Sequence, residues 1–274
     1  MIDWLQGEKF EDVADYKYAP STRYRDDYCH LVNTLDFKKL KDGDIIYTHT
    51  FYAKQLFDIL ELMGTKVYII THNADEPADW VPPENVLHWY SQNVNIDHPK
   101  VESLPIGLEN NRWWKGLRKR AKMEEMLKQP LPHKKLVYMN HNIKNNRAQR
   151  QRPYELFGEA KWMTVFHGKN GLRFDQYLEN VCNHKFMICP EGSGIDCHRF
   201  WECLYLGTIP IVKKCINVMF YSHLPVLLID DWEELSEEML EDFYQEHKFD
   251  WESVWEQLMF GWWKNKIFKD CGRE

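Results

Sequence analysis

The sequence predicts an α/β fold built on parallel sheets and divided into two lobes. Three observations carry that reading. Short segments rich in Val, Ile, Tyr and Phe recur between amphipathic runs, the strand–helix alternation of parallel sheets. The length of 274 residues fits one large α/β domain or two compact ones of about 130 residues each. Mid-chain, Gln129-Pro130-Leu131-Pro132-His133 interrupts the pattern with two prolines, and the boundary is placed there. The expected division is a first lobe over residues 1–130, a second over 131–248, and a helical segment over 249–274 that packs on its own lobe or crosses back to the first.

Strands are expected at Asp44 to His49, Lys66 to Thr71, Val86 to Ser91, Lys135 to Asn140, Trp162 to His167, Lys185 to Cys189, Ile209 to Val212 and Val226 to Ile229. After the first of these, Tyr52, Leu56, Ile59, Leu60 and Met63 recur at helical spacing behind Thr50 as candidate cap. A charged helix around Lys115 to Leu127 precedes the proline break, and Gly207 reads as the tight stop of a later helix. Asp250 caps the last helix, which sets Trp251, Val254, Trp255, Leu258 and Trp262 on one face. No internal repeat or low-complexity tract interrupts this order.

Composition excludes several classes. At 44% hydrophobic and 28% charged residues the chain is neither disordered nor collagenous. Thirty-five basic against 42 acidic residues, a net of −7, argue against a nucleic-acid partner needing a broad basic face. Seven cysteines without paired spacing point to a reducing compartment. The N-terminus lacks a basic and an apolar signal region, and no run approaches about 18 apolar residues, so a soluble cytoplasmic protein with no membrane span is expected. Twelve tryptophans suit sugar stacking, but aromatic rings equally fill α/β cores.

The segment from Phe186 to Val212 carries most of the chemistry: an apolar strand, the loop Pro190-Glu191-Gly192-Ser193-Gly194, a helix, the stop at Gly207 and the next strand. In an open α/β sheet the loop after a strand binds ligands, and the following helix N-terminus offers free N–H groups to an anion. With Asp196 as cap, Arg199 and Glu202 lie three residues apart on one face. A guanidinium forks onto phosphate oxygens and a carboxylate accepts from ribose hydroxyls, so together they describe a nucleoside diphosphate. A plain surface ion pair has the same spacing.

That segment resembles the signature of exostosin-type glycosyltransferases: apolar strand, Pro, Gly-containing loop, Arg, aromatics, Glu, Gly, then Ile-Pro-Ile/Val. Lys135 to Arg150 is similar to the family's strand followed by an Asn-rich loop and a helix-opening Arg. Ile70-Thr71-His72-Asn73-Ala74-Asp75 resembles its Ser/Thr-His-Asn-x-Asp element, and Leu104-Pro105-Ile106-Gly107 its Pro-Ile-Gly turn. The likeness spans about residues 65–232 and points to compact soluble members such as the xylosyltransferases of large algal viruses. The resemblance implies a GT-B architecture: two Rossmann-like lobes across an interdomain cleft, inversion at the anomeric carbon and no obligatory metal. It makes the first lobe the acceptor side and the second the nucleotide-sugar side. The partners would be a UDP-sugar donor, with UDP-xylose favoured, and a glycan acceptor. No cofactor beyond the donor is expected.

Inversion requires one base on the acceptor hydroxyl. Asp75 is the first candidate, with His72 and Asp79 in reserve, although Asp75-Glu76-Pro77 also makes a good turn. Donor contacts are assigned to Arg199, Glu202, Arg150, Asn142, Glu191, Gly192, Ser193, Gly194 and His198. A metal would need a carboxylate pair after a strand. Asp42-Gly43-Asp44 precedes its strand, whereas Asp230-Asp231 does follow one and is the best candidate for a metal, although a helix cap before Trp232-Glu233-Glu234 is the favoured reading. Cys197, His198 and Cys203 lack a fourth zinc ligand. The competing reading is a non-catalytic carbohydrate-binding protein using the pairs Trp113-Trp114 and Trp262-Trp263. A nucleotide-dependent kinase lacks its phosphate loop.

Overall fold

The computed structural model describes residues 2–20, 31–112, 114–166 and 172–273. His167, Trp113 and the side chain of Trp114 lie outside the described residues. The apolar segments pair into two five-stranded sheets, every neighbouring pair parallel. Contacts group the chain into two compact units, Leu5–Ile106 with Phe260–Glu274, and Met1–Trp4 with Gly107–Met259.

The first unit holds β1 (Tyr16–Lys17), β2 (Ile45–His49), β3 (Val67–His72), β4 (Val86–Ser91) and β5 (Val101–Ser103), with α1 (Ala53–Met63) between β2 and β3. The strand order is β1-β2-β3-β4-β5, sequential and without reversal. β1 and β5 were invisible to periodicity because two or three residues cannot establish an alternation. Thr50 is not the cap of α1: it opens a 3-10 turn over Thr50–Tyr52, and its hydroxyl is buried without a hydrogen-bond partner. β2 is buried at every position, as suits a strand covered on both faces.

The second unit contains α2 (Trp114–Met126), β6 (Lys135–Met139), α3 (Arg147–Phe157), β7 (Met163–Val165), α4 (Phe174–Cys182), β8 (His184–Ile188), α5 (His198–Tyr205), β9 (Ile209–Lys213), α6 (Ile216–Met219), β10 (Leu227–Ile229), α7 (Glu237–Glu246) and α8 (Trp251–Gln257). Its order is β10-β9-β8-β6-β7. The chain leaves β6 for one edge, at β7, and returns to build outward on the other side from β8. The reversal between β6 and β8 is a topological switch point, where loops at the carboxyl ends of neighbouring strands diverge and open a crevice. Val137, Phe186, Ile188 and Ile211 form the core beneath it.

Two boundaries depart from expectation. Residues 107–130 group with the second unit, because α2 packs on α4 and Lys119 pairs with Glu202. The prolines at 130 and 132 end a helix, not a unit. The last helix is also not continuous. Asp250 caps α8 through bonds from Glu252 N–H and Ser253 N–H at 3.2 and 3.3 Å, but α8 stops at Gln257. Met259 then bridges Trp4, Tyr205 Oη donates to the Leu258 carbonyl, and α9 (Phe260–Asp270) starts anew. Trp262 therefore does not continue the Trp251 face. α9 belongs to the first unit, where Lys266 pairs with Glu102 at 2.7 Å and Tyr90 Oη donates to Asp270 at 3.0 Å.

Gly207 stops α5 as expected, in the left-handed region at φ 66°, and a Cβ there would lie 3.0 Å from the His133 ring. Gly207→Ala is therefore expected to lower unfolding free energy by about 1–2 kcal/mol, from the backbone penalty alone, in urea titrations.

Candidate functional site

The carboxyl ends of β6 and β8, where the strand order reverses, lead into the loops 140–146 and 189–197. Arg150, from the first turn of α3, ties the two loops together. Its Nε donates to the Glu191 carbonyl at 2.7 Å and its Nη1 to the Asn142 carbonyl at 3.1 Å. Asn146 caps α3 by accepting from Gln149 N–H at 3.3 Å, and its Nδ2 donates to the Gly192 carbonyl at 2.9 Å. Gly192 is needed here for close approach, since a Cβ would stand 2.8 Å from Arg150 Nη2.

Two buried atoms in this crevice lack partners. Arg199 Nε has no acceptor, and His141 Nδ1 has no donor. His141 Nε2–H donates to the Arg150 carbonyl at 2.9 Å, which leaves Nδ1 as a bare lone pair. Burial first, then the charges of Arg199 and Arg150, push the His141 pKa down to about 3, so the ring is neutral. Burial and the Arg199 charge likewise lower the Arg150 pKa. Two guanidiniums thus repel one another in a partly desolvated crevice, with a donor unused. Such an arrangement favours an anion, and each orphaned group calls for a partner.

Glu202, one turn along α5 from Arg199, is 3% exposed. Its Oε1 meets Lys119 Nζ at 2.7 Å, and Oε2 accepts from Tyr177 Oη at 2.6 Å. Burial alone would raise its pKa, but Lys119 and the Tyr177 hydroxyl bring it down to about 2. The same pairing holds Lys119 charged against its own burial. His198 Nδ1–H donates to the Gly107 carbonyl at 2.7 Å, and burial lowers its pKa.

Other expected residues fall differently. Asp196 does not cap α5: both its carboxylate oxygens lie 3.0 Å from Trp201 Nε1, and Cys197 takes the cap position without a side-chain bond. The first N–H groups of α5 thus have no capping side chain. Asn142 is exposed and accepts from Lys144 N–H, Ser193 is exposed, and Gly194 is buried with its carbonyl bonded to Gly192 N–H. The half-buried Glu191 has its pKa raised by burial, against Lys213. It borders a cavity of about 30 Å³ with Lys213 and Cys215, room for a water but not for a base. Asp231 caps the 3-10 turn after β10 in a reciprocal box with Glu234, and Asp230 pairs with Lys214. Among the described residues no three His, Cys, Asp or Glu converge as a metal site.

In the first unit, His72 is fully buried at the end of β3. Its Nδ1 accepts from Asn73 N–H at 2.8 Å and its Nε2 donates to the Pro105 carbonyl at 3.0 Å, leaving no lone pair for an acceptor hydroxyl. Asn73 sits at φ 55°, with Nδ2 bonded to Tyr47 Oη and Glu11. Asp75 and Asp79 are exposed. His141, Asn146, Lys119 and Tyr177 were not singled out from sequence. Asn146 lay in plain view in the Asn-rich run, whereas Lys119 is one of several basic residues on a helix that reads as solvated.

The Glu202 pairing fixes an acid dependence. Its folded pKa is depressed, so its contribution is present above the unfolded value of about 4.5 and is lost as pH falls toward about 2. Glu202→Gln is expected to cost on the order of 3 kcal/mol at pH 7, with the gap to the parent narrowing between about pH 4.5 and 3, in urea unfolding series at each pH.

No family model and no curated protein sequence matches the chain. Among solved structures, one described as the crystal structure of a GtfA/B complex is similar at 10% identity and a TM-score of 0.39. The alignment covers 85% of this chain and 58% of that one, so the chain spans less than two thirds of its length. No helix of the described residues is long and apolar enough to cross a membrane.

Proposed function

We propose that the chain is a glycosyltransferase of the GT-B class that takes a nucleoside-diphosphate sugar at the β6/β8 crevice. One observation carries the reading: at the switch point, the paired charges of Arg150 and Arg199, with Arg199 Nε unused, surround a glycine loop that enters an uncapped helix. That is the complement of a diphosphate. In this reading Arg199 meets the phosphate oxygens as charge grows on the leaving group, with the first N–H groups of α5 beside it. Arg150 shapes the loops, because two of its nitrogens are spent on backbone carbonyls. Glu202, kept ionised by Lys119 and Tyr177, retains lone pairs for the ribose hydroxyls.

The base on the acceptor hydroxyl is assigned to Asp75, the exposed carboxylate following His72 and Asn73, in a single inverting displacement. Charge neutralisation by guanidiniums makes the reaction metal-independent in this proposal. The exostosin-like motifs favour UDP-xylose as donor and a glycan hydroxyl as acceptor.

Isothermal titration with UDP and a donor-hydrolysis assay in EDTA test this reading. Arg199→Ala should weaken UDP by at least about tenfold, the scale of one lost charge-assisted bond. Asp75→Asn should bind UDP normally and lose at least about a hundredfold in transfer. Undiminished UDP affinity in the Arg199 variant would remove the donor site, and full turnover in the Asp75 variant would remove the base.

A further inference from the structure

The second unit holds another cavity, at the opposite ends of its strands. It measures about 520 Å³, within the range of about 300–1,000 Å³ typical of small-molecule sites. Gly207 and Ile209, where β9 begins, form its floor, whereas the β6/β8 crevice lies at the carboxyl ends. α5 links the two regions, with Arg199 near its start and Tyr205 at its end. Successive residues rise about 1.5 Å along a helix, so the two differ by about 9 Å along the axis.

The walls are aromatic and half-buried: Tyr244, Phe249, Trp251 and Trp255. Neighbours hold them at steep mutual angles. Trp255 lies edge-on to Tyr205 at 86°, Phe249 and Trp251 meet at 68°, and Lys185 Nζ sits 4.6 Å from the Tyr244 ring centre. Their polar tips are unspent. Among the described residues, Tyr244 Oη, Trp251 Nε1, Trp255 Nε1 and the exposed Lys248 ammonium have no hydrogen-bond partner. Acceptors are present as well. His133 donates through Nε2 to the Leu206 carbonyl at 2.9 Å and is kept neutral by burial, so its Nδ1 offers a lone pair. His247 donates through Nδ1 to the Phe243 carbonyl at 3.0 Å, which frees Nε2.

From this geometry we propose that the cavity is a non-catalytic saccharide-binding site, which holds one or two sugar units of a glycan away from the β6/β8 crevice. A pyranose presents a flat C–H face to an aromatic ring and a rim of hydroxyls that both donate and accept. Fixed ring faces edged by unspent donors and acceptors match both features. A lipid tail would leave these polar atoms unpaired, and a phosphate would meet one ammonium where the crevice offers two guanidiniums. Of the aromatic pairs expected as sugar platforms, Trp262-Trp263 has Trp263 buried against Trp262, and the side chains of Trp113-Trp114 lie outside the described residues.

The test titrates the full chain with cellotriose, xylotriose and maltotriose, read by tryptophan fluorescence and saturation-transfer NMR. At least one probe should bind saturably, with affinity unchanged by saturating UDP and by Arg199→Ala. Trp251→Ala and Lys248→Ala should each weaken it by about fivefold or more. If Trp251→Ala does not fold, Tyr244→Phe, which deletes only the unspent hydroxyl, and Trp251→Phe, which keeps an aromatic face but loses the N–H and part of the ring, carry the same expectation of a measurable loss. No saturation by any probe up to about 10 mM, a millimolar affinity being the weakest compatible with a built site, would overturn the proposal. So would displacement of the saccharide by UDP, or full affinity in the cavity variants. Because Arg199→Ala affects only UDP, failure here and failure of the donor site give different results.

Discussion

The clamp formed by Arg150 across the switch point is the constraint on which the arrangement of the second unit's two loops depends. Two loops that leave neighbouring strands in diverging directions have no backbone ladder to hold them. Arg150 and Asn146 supply one, taking the carbonyls of Glu191, Asn142 and Gly192 as acceptors. Asn146 acts twice, since it also caps α3 and so fixes where Arg150 begins its reach. The glycine at 192 follows from that contact, because any side chain would meet the guanidinium. A charged group used as a brace leaves positive potential behind, and the neutral His141 beneath it does nothing to cancel it.

Compensation lies on the far side of Arg199. Glu202 is buried, yet ionised, because Lys119 and Tyr177 both serve it. A buried ion pair of this kind is weak evidence for stability, since desolvating two charges roughly offsets their attraction. Its effect here is positional. It carries α2 onto α4 and α5, which explains why residues 107–130 join the second unit although the prolines that follow them suggest a boundary. A proline reports the end of a helix through its missing N–H. Unit membership is decided by contacts between elements distant in sequence, and the 83-residue separation of Lys119 from Glu202 leaves no local trace.

What the sequence made legible was whatever has a short period or a fixed local rule. Strands of five or six residues, the Asp250 cap and the Gly207 stop were readable, and the structure has them within a residue or two. Asp196 was not, because an aspartate before a helix satisfies the capping rule whether it caps or, as here, takes an indole N–H five residues on. The same ambiguity separated α8 from α9. A helical stripe of tryptophans looks continuous through Leu258, and the bridge from Met259 to Trp4 that breaks it joins opposite ends of the chain. Of the residues assigned to the proposed donor site, Arg199 and Glu202 were visible as a pair. Lys119 and Tyr177, which pair with Glu202, and His141 come from three other elements and acquire meaning only once the fold brings them together.

The two sheets differ in strand order. A sequential order such as β1 to β5 offers no reversal, and so no switch point of the kind that lies between β6 and β8. The end of β3 is packed with polar contacts among the described residues. His72 spends both nitrogens on backbone, and Asn73, held at a positive φ, is gripped by Tyr47, Glu11 and Gln92. Gly7 has no side chain because one would occupy the positions of the His72 ring and the Asn73 amide. A residue kept in the left-handed region by so many partners stores strain that its surroundings must over-determine. The consequence is directional: with His72 and Asn73 fixed, the backbone leaves β3 along one path, and Asp75 follows two residues later with its carboxylate exposed. Within this element, therefore, the histidine and asparagine build the turn, and the aspartate is the carboxylate left exposed beside it.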